Sequence, residues 1–126
     1  MRVVDTSAWI EWFAGSETGR RLTHEIPTRA QHLVPTIVQY ELAVWAAREL
    51  LPDDADIVIA DSNKCVVVAL DTPIALEAAE LRRTHNLSTA DSIVYATAIV
   101  HGADILTCDA HFKDLPHVLH VPKIAP

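Results

Sequence analysis

Apolar residues follow two rhythms along this chain. Short unbroken runs alternate with longer stretches in which an apolar residue returns every three or four positions. The first rhythm predicts β-strands and the second α-helices. A strand is predicted at Val3 to Asp5, then a helix from Ser7 to Ala14 that is apolar nearly all round (Trp9, Ile10, Trp12, Phe13) and is closed by Gly15. A polar helix follows over Glu17 to Glu25, and His32 to Val34 reads as a short strand. Pro35-Thr36 suits the start of a long helix carrying Val38, Leu42 and Trp45 to Leu51, where Pro52 stops it. Asp53 to Asp61 reads as helix. The continuous run Cys65 to Leu70 (CVVVAL) predicts a strand buried on both faces of a parallel sheet. Thr72-Pro73 opens a helix to about His85 with proline at its first position, and Ser88 caps another that Gly102 ends. Ala103 to Thr107 predicts a further buried strand, and His117 to Val121 a last edge strand.

Strands alternating with helices indicate an α/β fold whose mostly parallel sheet is covered on both faces. Such sheets bind ligands outside the carboxyl ends of their strands. At 126 residues the chain is expected to form one domain, 1–126, able to bury about two thirds of its unfolded surface. Half of the residues are hydrophobic and 21% charged, which excludes a disordered chain. No apolar run approaches the ~20 residues of a membrane-spanning helix. The N-terminus MRVVD meets an acid too early for a signal peptide, so the expected location is the cytoplasm. Cys65 and Cys108, in apolar strand-like contexts, are expected to be buried thiols, without a disulfide and without the paired spacing of a zinc site.

Charge changes the picture more than composition does. Ten Lys and Arg against seventeen Asp and Glu leave a net charge of −7, the wrong sign for ordinary nucleic-acid binding. Either nucleic acid is not the ligand, or metal ions reverse the local sign. Four acids bear on that choice. Asp5 ends the first strand, and Asp109 follows the ADILT strand in the same relation. Asp91 lies in the first turn after Ser88, and Glu41 near the start of the helix after Pro35. Each has an ordinary explanation: Asp5 as a helix cap, Ser88-Thr89-Ala90-Asp91 as a capping box, Glu41 as a solvated helical acid, Asp109 as the start of a turn. Four independent caps need not converge on one sheet edge. If they do, their mutual repulsion calls for a divalent cation, and oxygen ligands select a hard ion such as Mg²⁺ or Mn²⁺. Such an ion activates water and stabilises a phosphodiester under attack.

The set VVDTSAW, TIVQYELAVWA, STADSIVYATA and ILTCDAHF resembles the PIN domain, in particular the short VapC-type toxins of bacterial toxin–antitoxin pairs. The resemblance spans nearly the whole chain. It implies a three-layer α/β/α sandwich with a four- to five-stranded sheet, and an Mg²⁺- or Mn²⁺-dependent endoribonuclease centre. By the same match Asp5, Glu41, Asp91 and Asp109 are the catalytic acids, with Asp5, Asp91 and Asp109 holding metal and Glu41 holding metal or orienting the nucleophile. Thr6, Ser7 and Thr107 would support the carboxylates or metal-bound water. The implied partners are RNA, a cognate antitoxin and a second copy of the chain, as a homodimer or a heterotetramer-type complex. Where relatives often carry a basic residue before the last acid, this chain has Cys108. RNA contact would then rest on Arg20, Arg21, Arg82, Arg83 or Lys113, although a solvated helix face also explains the arginines.

Other residues invite chemistry less. None of the seven histidines has HxxxH or HxH spacing, and only His111, close to Asp109, merits watching. Trp9, Trp12 and Phe13 could stack bases. A short helix apolar on most faces reads better as core and interface, with Trp12 and Phe13 toward a partner. Two other functions compete. A phosphoryl-accepting Asp5 needs a neighbouring acid or a late lysine at a strand end, but the chain offers Asp5-Thr6-Ser7, and Lys113 and Lys123 do not obviously follow a strand. A catalytically silent PIN-like module binding RNA or protein would gain by losing the four acids.

Overall fold

The fold is that of a computed structural model describing residues 1–125. Five strands form one sheet: β1 (Arg2–Val4), β2 (His32–Pro35), β3 (Val66–Val68), β4 (Asp104–Thr107) and β5 (Val118–His120). Their order across the sheet is β3-β2-β1-β4-β5 and every neighbouring pair is parallel. Six α-helices connect them: α1 (Thr6–Ala14), α2 (Glu17–Leu22), α3 (Thr36–Glu49), α4 (Pro52–Asn63), α5 (Thr72–His85) and α6 (Thr89–Val100). The chain moves outward from β1 to β3 through the first four helices. It then crosses back through α5 and α6 to β4 on the other side of β1. Right-handed crossovers place these two sets of helices on opposite faces, which yields the three-layer α/β/α architecture.

The central strands explain the core. Val3, Val4, Leu33, Val34, Ile105 and Leu106 are all buried, and Trp9, Tyr95 and Phe112 are the largest enclosed side chains. The Trp9 indole lies 5.0 Å from the His32 ring, measured between centroids. Two glycines have defined tasks. Gly15 closes α1 in the left-handed region at φ 67°. Gly19 lets α2 press on α1, because a Cβ there would lie 1.9 Å from the Glu11 carbonyl oxygen.

Three elements differ from the sequence expectation. The CVVVAL run is not a central strand: only Val66–Val68 pair, β3 is the sheet edge, and Val66 and Val67 are 37% and 39% exposed. An apolar run records affinity for a sheet but not its rank in the strand order. Pro52 does not merely stop the long helix. That helix ends at Glu49, and Pro52 is the first residue of α4, where its missing N–H costs nothing. The helix from Glu17 is α-helical only to Leu22, tightens to a 3₁₀ turn over Thr23–Glu25, and is not polar all round, since Thr18, Gly19 and Leu22 are buried. Smaller shifts also occur. Thr72 rather than Pro73 is the first residue of α5, with Asp71 accepting from Ile74 N at 3.1 Å as the cap. Both cysteines are free thiols, Cys108 buried and Cys65 only half-buried.

Candidate metal centre at the carboxyl edge of the sheet

The strand order reverses between β1 and β4, so the crevice beyond their carboxyl ends is the place where an open parallel sheet receives a ligand. Asp5 is the residue after β1, and Asp109 follows β4 by two. Glu41 projects from the second turn of α3 and Asp91 is the third residue of α6.

Asp5 occupies the N-cap position of α1, yet its side chain makes no capping bond. Its carboxylate is instead held by a lattice that joins β1 to β4. The Ser7 and Thr107 hydroxyls both donate to Asp5 Oδ2, each at 2.9 Å. Each hydroxyl has one proton to give, and both are committed to Asp5. The two oxygens, 3.2 Å apart, in turn accept backbone N–H groups: Cys108 N donates to Ser7 Oγ at 3.0 Å and Asp109 N to Thr107 Oγ1 at 2.9 Å. The backbone carrying Asp109 is therefore fixed to the carboxylate of Asp5. Thr6 faces the other way and donates to Glu41 Oε1 at 2.7 Å, tying α3 to the same edge.

The acids sense one another. Burial pushes the Asp5 carboxyl up to about 6, its two hydroxyl donors oppose this, and the charges of Asp91 and Glu41 add to it. Asp91 is also raised, first by burial and next by Asp109; the Ser88 hydroxyl and the His111 ring oppose this, and Glu41 adds to it. Ser88 Oγ accepts from Asp91 N at 3.2 Å, so the capping reading of that motif holds for its serine half. Asp109 likewise accepts from His111 N at 2.9 Å and caps the 3₁₀ turn Ala110–Phe112. Capping and convergence coexist. His111 Nδ1 sits 3.0 Å from Asp109 Oδ1 and 3.9 Å from Asp91 Oδ2, and these three side chains offer ligand atoms within 4.8 Å of one another. The donor set, carboxylate oxygens with one exposed imidazole, fits a hard divalent ion. Asp5 and Glu41 lie outside that group of three; the charges of Asp91 and Glu41 act on Asp5, and that of Glu41 on Asp91.

The family model for the PIN domain matches residues 2–118 of the chain. The chain belongs to the PIN-domain family. No curated protein matches it in sequence. Among solved structures, a toxin–antitoxin complex from Klebsiella pneumoniae is similar with a TM-score of 0.85 at 22% identity, covering 98% of this chain and 100% of the other. VapC20 from Mycobacterium tuberculosis, described as a sarcin-ricin loop cleaving toxin, superposes with a TM-score of 0.76 at 20% identity over 94% of this chain and 97% of that one. VapBC2 from Rickettsia felis, bound to a DNA fragment from its promoter, gives 0.73 at 13% identity, with 94% and 96% covered.

Other residues singled out in the sequence scatter over this PIN domain. Arg82 reaches the N-terminus of α6 and donates to Thr89 Oγ1 at 2.7 Å, two positions before Asp91. Arg83 is ion-paired with Glu80, and Arg20 donates to the Gly15 carbonyl. Arg21 and Lys113 are exposed. Trp9 is 1% exposed, so it belongs to the core alone and presents nothing to a partner. Trp12 and Phe13 are half-buried, with Phe13 edge-on to Trp45 at 6.4 Å. The position before the last acid carries no charge: Cys108 is buried and its thiol is pushed up to about 11, mainly by burial. The sequence reading named Lys123 but did not see it follow a strand. It lies three residues beyond β5 and, with His120, lines a cleft shared with Asp109 and Ser7. The overlooked signal was a lysine close behind an apolar edge strand. Among the described residues no hydrogen bond or ion pair joins Lys123 to Asp5, and the second acid beside Asp5 that a phosphoryl-accepting site needs is still missing. Among the described residues no helix is long and apolar enough to cross a membrane.

Proposed function

We propose that this PIN domain is a divalent-metal-dependent endoribonuclease, the toxin of a VapBC-type toxin–antitoxin pair, acting in the cytoplasm as one domain. What supports the reading is the grouping of Asp91, Asp109 and His111 beside the strand-order switch point, with a buried Asp5 that takes hydroxyl donors and feels the charges of Asp91 and Glu41. A bound Mg²⁺ or Mn²⁺ would supply charge neutralisation, polarisation of the scissile phosphate and a lowered pKa for attacking water.

The side chains divide the remaining work. Asp5, Asp91 and Asp109 hold the ion, and Ser7 and Thr107 keep Asp5 aimed by occupying one of its oxygens. Glu41, steadied through Oε1 by Thr6, has its second oxygen available to hold the ion or to orient water and accept its proton. Side chains set on the ends of strands and helices would hold such an arrangement more precisely than loops would. Likeness to toxin–antitoxin complexes, and to a toxin described as cleaving the sarcin-ricin loop, supports an antitoxin partner and an RNA substrate. Trp12 and Phe13 are proposed for the homodimer or antitoxin interface.

Cleavage of a labelled RNA by purified protein tests the chemistry. Activity is expected to vanish in EDTA, to return with Mn²⁺ or Mg²⁺, and to fall by at least about a hundredfold in Asp5→Asn. Cleavage that survives EDTA or Asp5→Asn would sink this mechanism. Growth arrest on expression, relieved by co-expressing the adjacent small open reading frame, tests the toxin role; growth without arrest counts against it.

A further inference from the structure

The carboxyl edge carries a second built feature, the segment that leaves β5. Val121 N donates to the Thr107 carbonyl at 2.9 Å and so extends the β4–β5 pairing. Three residues on, Ile124 N donates at 2.9 Å to the Oγ1 of Thr18, which is buried on α2. Only Pro122 and Lys123 lie between these two pins, and the proline ring fixes its own φ near −65°. A two-residue strap tied at both ends and stiffened by proline has little freedom. The backbone position of Lys123 is therefore set by the fold.

That position is beside Asp109. Lys123 and His120 line a cleft of about 510 Å³ together with Ser7, Cys108 and Asp109. The ammonium is near enough for its charge to act on Cys108. Several other cations are already engaged: Arg2, Arg48, Lys64 and Arg83 pair with carboxylates. Among the described residues none pairs with Lys123. A chain of net charge −7 that receives a polyanion beside a group of acids gains from a cation where the strand passes, and the side chain at 108 is a buried thiol.

We propose that Lys123, flanked by His120, is a phosphate-binding residue of this site: it contacts a backbone phosphate of the RNA next to the one cleaved and sets how the strand lies against Asp109. The inference rests on the ribonuclease reading and adds to it the wall along which substrate enters. Lys123 acts on binding and placement and does not touch the reacting atoms.

The test uses the full-length protein with Mn²⁺ and a 5′-labelled single-stranded oligoribonucleotide, over a range of KCl. Wild type, Lys123→Gln and Lys123→Arg are compared for KM and kcat, and for affinity by anisotropy in the non-cleaving Asp5→Asn background. One phosphate contact to single-stranded RNA contributes about 0.7 to the slope of log affinity against log salt, or about fivefold in affinity at 0.1 M. Lys123→Gln is expected to raise KM about fivefold, to leave kcat within about twofold and to lower the slope by about 0.7, while Lys123→Arg restores all three. A KM and slope unchanged by Lys123→Gln overturn the inference. So does a loss confined to kcat, or an arginine variant that behaves like glutamine. Wild type that cleaves RNA while Lys123→Gln matches it removes this wall alone. Wild type that neither binds nor cleaves RNA removes the ribonuclease reading and this inference with it.

Discussion

Asp5→Asn is expected to stabilise the metal-free protein, and by an amount that depends on pH. The buried carboxyl has a pKa of about 6 in the fold against an ordinary 3.8. Between those values the native state keeps a proton that the unfolded chain has released. Stability therefore falls as pH rises through that window and is flat above it. At roughly 1.4 kcal/mol for each tenfold step, ionised Asp5 costs the fold about 3 kcal/mol at pH 7.5 and about half of that at pH 5. Asparagine has nearly the same shape, can still accept from Ser7 and Thr107, and carries no charge. In EDTA at pH 7.5, Asp5→Asn should thus unfold up to about 10 °C above wild type, with the gap narrowing by about half at pH 5. A hundredfold excess of Mn²⁺ over its dissociation constant adds about 2.7 kcal/mol to wild type and little to the variant, closing the gap. Thermal and denaturant unfolding with and without metal measure all of this. A variant less stable than wild type in EDTA, or a gap independent of pH, would refute the assignment of Asp5 as an uncompensated buried acid.

Other substitutions probe separate links. Thr107→Val removes a donor to Asp5 and the acceptor of Asp109 N together, so Mn²⁺ affinity measured by calorimetry should fall about 10- to 100-fold while the fold persists. Gly19→Ala drives a Cβ into the Glu11 carbonyl and should cost more than about 3 kcal/mol in denaturant unfolding, whereas Gly15→Ala, with open space but φ 67°, should cost about 1 kcal/mol. His32 is buried and its pKa is lowered to about 4, so the unfolded chain takes up a proton below pH 6.5 that the folded ring refuses. Stability should fall from this source as pH drops from 6.5 to 4, opposite in sign to Asp5, and His32→Phe should abolish that fall in a pH series of unfolding midpoints.

What could be read from the sequence, and what could not, divides by distance along the chain. Ser88 capping α6, Asp109 starting a turn and Gly15 closing α1 are decided within a few residues, and all three hold. The convergence of the acids is less local, but it follows once the strands are parallel, because every strand then delivers its next residue to one edge. Asp5 shows where local reasoning stops. Its backbone has the extended N-cap conformation that its position predicts, yet its oxygen goes to Thr107, 102 residues away, because that donor and Ser7 are present and a cap is not required of it. The edge rank of β3 has the same origin: strand order depends on which side each crossover takes, and no apolar run records that. Lys123 needed both kinds of knowledge, the end of β5 and the pin on Thr18 across 106 residues. The four acids proposed to hold a cation were visible as strand-end or helix-start positions. The lysine that would meet the substrate became visible only when the fold joined the two ends of the chain.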